Sequence, residues 1–125
     1  MYELGLQKRV LFLGIRTDVA RLLKTASVSI VSSHWEGFGL AAVEGMAVMK
    51  PVIATNVPGL SNVVKGAGIL FEKGNEKELA SKINELLNDQ YYYNAVAEAG
   101  FERAKQYDIN SMVDKLIGSY RRMLK

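Results

Sequence analysis

The chain has 125 residues, 49% apolar and 23% charged, with two prolines and a net charge of +3. Those proportions suit one ordered domain with its own core, and the lack of cysteine excludes disulfides and thiolate zinc sites. No apolar run approaches the roughly 18 residues that span a bilayer and no signal-peptide pattern opens the chain, so a cytoplasmic protein is expected.

In chain order, "RVLFLG" (9–14) is a short apolar run closed by glycine and predicts a buried strand. "TDVARLLKTA" (17–26) gathers Val19, Leu22 and Leu23 on one helical face, with Thr17 placed as an N-cap. "SVSIVSS" (27–33) is β-branched with a polar end and predicts a second strand. A helix is expected from about Gly39 through "GLAAVEGMAVMK". "PVIAT" (51–55) predicts a third strand with Pro51 at its first position, where a lost donor matters least. "PGLSNVV" (58–64) suggests a short helix and "GILF" (68–71) a fourth strand. Asn75 and Glu78 then form a capping-box pair ahead of the helical stripe Leu79, Ile83, Leu86 and Leu87. A weaker helix over 91–106 carries Tyr91, Tyr92 and Tyr93. A last one follows Asp108, with Ile109, Met112, Val113, Leu116, Ile117, Tyr120 and Leu124 at helical spacing.

Strands alternating with helices imply parallel βαβ units, and short non-alternating apolar strands imply a sheet covered on both faces. The fold class is therefore α/β: a Rossmann-like parallel sheet of about four strands, with flanking helices and a helical C-terminus, as one unit over residues 1–125. In such sheets ligands bind outside the carboxyl ends of the strands. "HWEGFGLAAVE" (34–44) falls there. Gly37 and Gly39 let the main chain approach a ligand without a Cβ, and the helix start offers N–H groups from Phe38 to Ala41 to an anion. Glu36 precedes the helix and is placed to reach the cleft. Glu44, amid "GLAAV" and "GMAVM", needs a partner if that helix is buried all round, and vicinal hydroxyls such as a ribose's would serve. A helix-dipole role accounts for it more blandly.

Charge adds a hint. Residues 1–35 hold Lys8, Arg9, Arg16, Arg21 and Lys24 against Glu3 and Asp18, a local +3 (5 − 2), which suits an anionic ligand or a membrane surface as well as a solvated basic face. Nucleic acid is not expected, since no dense Lys/Arg run is interleaved with aromatics. His34 is the sole histidine, so no histidine cluster for a metal can form. Packing accounts for Trp35, and a surface position for Arg16, at least as well as ligand contact does.

"SSHWEGFGLAAVEGMAVMKPVIATNVPGL" resembles the donor-binding signature of retaining GT-B glycosyltransferases of family GT4. The likeness extends over "VLFLG" and "DVARLLKTASVSIVSS" before it and "GILFEKGNEKELASKINELLND" after it. The resemblance implies the carboxyl-terminal, donor-binding half of a GT-B enzyme, moving a hexose from a nucleoside diphosphate sugar to an acceptor in surface glycan, lipopolysaccharide or glycolipid synthesis. Glu36 would be catalytic and hold the donor sugar. Gly37, Phe38, Gly39 and Leu40 would meet sugar and diphosphate, Glu44 the ribose, and Gly14 and Ile15, at the end of the first strand, the base. No cofactor or metal is implied, and no Asp-x-Asp pair occurs. Peripheral contact at the inner membrane face fits the same family. A nucleotide-sugar binding module without turnover and a nucleotide-sugar epimerase are the alternatives on this architecture.

The sequence departs from the family pattern at three places. Met49 stands where glycine is usual, and a positive-φ helix end there would cost methionine about 1 kcal/mol. Gly45 replaces an alanine and Asn62 a glutamate. The likeness begins within the family's domain, after its first two strands, so the missing acceptor domain should leave the chain inactive alone. Strand 28–32 should become an exposed edge, covered by re-pairing of strands or by a homodimer.

Overall fold

The computed structural model describes residues 2–35, 37–107 and 121. Three parallel strands, β1 (Ser29–Val31), β2 (Val52–Thr55) and β3 (Ile69–Phe71), form a sheet in the order β1-β2-β3. Ile30 lies opposite Ile53 and Ile53 opposite Ile69. Among the described residues the helices α1 (Val19–Thr25), α2 (Leu40–Ala47), α3 (Leu60–Val64), α4 (Glu76–Leu87) and α5 (Gln90–Ala104) accompany them. The α/β class and the parallel sheet agree with the sequence.

Alternation along the strands divides the core in two. Val31, Val52 and Ala54 face α2 and α3, packing with Met46, Leu60, Val63 and Val64. Ile53, Ile69 and Phe71 point the other way, onto Leu86 of α4 and Val96 of α5. All four residues of β2 are buried, which is why it reads as an unbroken apolar run. α2 comes close to the sheet because Gly45 has no side chain: a Cβ there would stand 2.8 Å from the Ser29 side chain.

The strand expected over 9–14 is not formed, so the described sheet has three strands rather than four. Residues 10–14 are irregular, with Leu11 79%, Phe12 78% and Ile15 104% exposed. A strand exists only with a partner, and no described strand pairs with this segment. Among the described residues β1 pairs with β2 alone and is an open edge, as expected.

Local signals fared better. The Asn75 side chain accepts from the Glu78 N–H (2.9 Å), and the Glu78 carboxylate accepts from the Asn75 amide (3.3 Å), closing the start of α4. Thr17 does not cap α1. Asp18 takes the N-cap position, but its carboxylate turns outward to accept two bonds from Arg16, at 2.7 and 2.8 Å. Asp89 caps α5 by accepting from the Tyr92 N–H. α5 is tied down at both ends: the Tyr93 hydroxyl donates to the Ser27 carbonyl (2.6 Å) and Arg103 to the Val63 carbonyl (2.8 Å). A 3₁₀ turn, Lys105–Tyr107, extends it. The helix expected after Asp108 lies outside the described residues. Among the described residues, no helix is long and apolar enough to cross a membrane.

Candidate functional site

The segments that follow β1 and β2 meet where Gly39, ahead of α2, lies against Gly59, ahead of α3. Beneath them the buried Thr55 hydroxyl donates to the Val31 carbonyl (3.3 Å), locking the two strand ends together. Gly39 sits at φ +83°, and a Cβ there would meet the Gly59 carbonyl oxygen at 3.2 Å. Only glycine satisfies both the left-handed backbone and that approach. It is the N-cap of α2, and among the described residues no side-chain hydrogen bond caps the helix. The Gly39 carbonyl accepts from the Ala42 and Val43 N–H groups. Leu40 and Ala41, in the first turn, have no intrahelical acceptor, so their donors face the mouth between the loops.

Ala42, Val43, Gly45 and Met46 form the buried face of α2; Leu40, Ala41, Glu44 and Ala47 form the exposed one. This corrects the picture of Glu44 as an acid on a fully buried helix. One face of this mainly apolar helix is open, and Glu44 lies in solvent one turn from Leu40, where burial makes no demand for a partner. Its carboxylate is accessible on the same face as the helix start.

The sequence-derived site is thus assembled in part. Gly37, Phe38, Gly39, Leu40 and Glu44 are contiguous on the loop and first two turns of α2. Glu36 lies outside the described residues. Gly14 and Ile15 do not end a strand. They belong to the irregular segment before α1, and among the described residues no hydrogen bond ties them to this loop. His34 and Trp35 are exposed. Arg16 is engaged with Asp18, which holds the Asp18 carboxyl below its usual range and raises the guanidinium. No group of three or more His, Asp or Glu side chains among the described residues is placed to hold a metal ion.

Two features escape sequence reading. The Phe38 ring meets Tyr107 edge-on, with centroids 5.8 Å apart and planes at 83°. The partners are 69 positions apart, and nothing in the periodicity of α5 singles out Tyr107. Second, an open groove of about 520 Å³ lies beside α3, lined by Asn56, Ser61, Asn62, Lys65, Leu70 and Arg103. Lys65 and Arg103 read in sequence as ordinary surface cations.

A parallel α/β sheet with a glycine-bearing loop and an uncapped helix start at adjoining strand ends is a Rossmann-like nucleotide-site architecture. The chain belongs to the family described as glycosyl transferases group 1, which matches residues 1–103. It is 44% identical over 92 residues to an uncharacterised glycosyltransferase of Methanocaldococcus jannaschii, covering 72% of this chain and 26% of that protein. Among solved structures, Anabaena HepE in complex with UDP-glucose superposes with a TM-score of 0.83 at 31% identity, over 94% of this chain and 34% of that one. The C-terminal domain of a glycosyl transferase group 1 protein of Francisella tularensis superposes at 0.71 and 25% identity, over 84% of this chain and 56% of that one. The chain spans about a quarter of the length of the first curated relatives it matches.

Proposed function

We propose that the chain is the nucleotide-sugar binding part of a retaining GT-B glycosyltransferase of the GT4 type, its loop 36–40 and the start of α2 cradling the donor. The observation that carries this is the glycine-framed, uncapped helix start at the mouth of two parallel strands, with Glu44 open to solvent on the same helix. In this reading the N–H groups of Phe38 to Ala41 receive the diphosphate, and the helix dipole stabilises the charge that builds as it leaves. The bond from the anomeric carbon to the diphosphate oxygen breaks, a bond to an acceptor oxygen forms on the same face, and the acceptor proton passes to the departing diphosphate oxygen. Glu36 orients the sugar hydroxyls. Glu44 accepts from the ribose hydroxyls. Gly14 and Ile15 flank the base once their segment is held in place. Charge stabilisation by backbone dipoles requires no metal.

The UDP-glucose seen with Anabaena HepE makes a uridine nucleotide the first donor to try. In this reading the acceptor-binding part lies outside these 125 residues, which match about a quarter of the first curated relatives, so the chain alone binds donor without transferring it. UDP-, GDP- and ADP-sugars are titrated by calorimetry into wild-type, Glu44→Ala and Glu36→Ala chains. Loss of nucleotide affinity in the first variant and of the sugar's share in the second is expected. Still amide signals over 37–44 under saturating donor of every base would remove the proposal.

A further inference from the structure

Phe38 sits between two glycines, Gly37 and Gly39, in the loop that the proposed function makes the donor cradle. Gly39 is fixed as the N-cap of α2 against the Gly59 carbonyl, but Gly37 on the other side has open space around it, so toward Gly37 the Phe38 side chain is the contact that restrains the main chain. That side chain is 44% exposed and meets the Tyr107 ring edge-on at 5.8 Å. Tyr107 has a firm mount. It packs against the core cluster that contains Ala104, Leu60 and Val63, and closes the turn continuing α5. α5 is itself pinned by Tyr93 to the Ser27 carbonyl and by Arg103 to the Val63 carbonyl. The contact therefore runs from the core, through one ring, to the middle of a glycine-flanked loop.

We propose that Tyr107 is a positioning residue: its ring clamps Phe38 and so holds the main chain of residues 37–40 in the form that receives a nucleoside diphosphate. The inference rests on the proposed donor site. Its energetic logic is that apparent affinity falls in proportion to the fraction of loops in the receptive form. An edge-to-face pair shifts such an equilibrium by roughly three- to tenfold. The contact is between the two rings, and among the described residues the phenol oxygen makes no hydrogen bond, so the clamp calls for the ring and not the hydroxyl.

The test uses the whole chain with UDP and UDP-glucose as probes. Wild type, Tyr107→Phe, Tyr107→Ala and Tyr107→Leu are compared by calorimetry and by NMR order parameters of the Gly37 to Leu40 amides. Val96→Ala, in the core cluster on the opposite face of the sheet, is the stability control. Tyr107→Phe should keep wild-type affinity and loop order. Tyr107→Ala should bind UDP roughly three- to tenfold more weakly and show lower order parameters at Gly37 and Phe38. Tyr107→Leu keeps apolar bulk against the core, so it preserves the fold if alanine does not, yet should show the same binding loss. Val96→Ala should melt earlier with unchanged affinity. Unaltered affinity and loop order in the folded Tyr107→Leu chain would overturn the clamp. Absence of UDP binding by wild type would instead sink the donor site, and loop order would still decide the clamp.

Discussion

Met49 is the one described residue other than glycine with a positive φ, at +58°. α2 ends in two carbonyl-saving bonds: the Met49 N–H donates to the Met46 carbonyl (3.0 Å), and the Lys50 N–H to the Gly45 carbonyl (3.2 Å). This is the Schellman arrangement, with methionine at the left-handed position that glycine ordinarily fills. A Cβ in that conformation costs about 1–2 kcal/mol. Glycine returns about 0.5–1 kcal/mol of that through the freedom it loses on folding. The difference leaves Met49→Gly about 1 kcal/mol more stable than Met49→Ala, or roughly 4 °C in Tm for a domain of this size. Both variants delete the same methionine contacts, which matter because the side chain is only 43% exposed, so the comparison isolates the backbone. Ala80, exposed inside α4, is the counterpart with ordinary helical geometry. There Ala80→Gly should cost about 1 kcal/mol. Thermal and urea unfolding of the three variants should thus give opposite signs for glycine against alanine at the two sites. If glycine is no better than alanine at position 49, the claim that this helix end stores backbone strain is wrong.

Gly45→Ala, which restores the residue usual in the resembling family, should destabilise by about 1–3 kcal/mol, because the new methyl would stand 2.8 Å from the Ser29 side chain; unchanged urea unfolding would show that α2 can simply move away. The Asp18 carboxyl is held below its ordinary value by Arg16, so its contribution is present above the unfolded-state pKa and lost as pH falls through the lowered one. Both partners are solvent-exposed, so acid unfolding curves of wild type and Asp18→Asn should nearly coincide; a large gap between them would refute that. The open edge of β1, together with the exposed apolar residues of segment 10–15 ahead of α1, should drive self-association at micromolar concentration. Sedimentation showing a monomer, with β1 protected from hydrogen exchange, would rule it out.

What the sequence determined by itself is whatever closes within a few residues or one burial pattern. The Asn75–Glu78 pair starts α4 because both bonds span three positions, and no distant partner is needed. β2 was legible as a strand because burial on both faces leaves an unbroken apolar run. The loop of Gly37 and Gly39 announced a close backbone approach at strand ends, and Gly39 does meet the Gly59 carbonyl. Tertiary structure decided the rest. "VLFLG" has every local mark of a strand, but a strand is a relation between two segments, and this one has no described partner. The apolar neighbours of Glu44 suggest a helix buried all round, yet α2 covers the sheet with one face only, and which face is settled by Gly45 fitting over Ser29. Tyr107 reaches Phe38 across 69 positions, a contact no periodicity encodes, since it exists only after α5 has packed across α2 and the sheet.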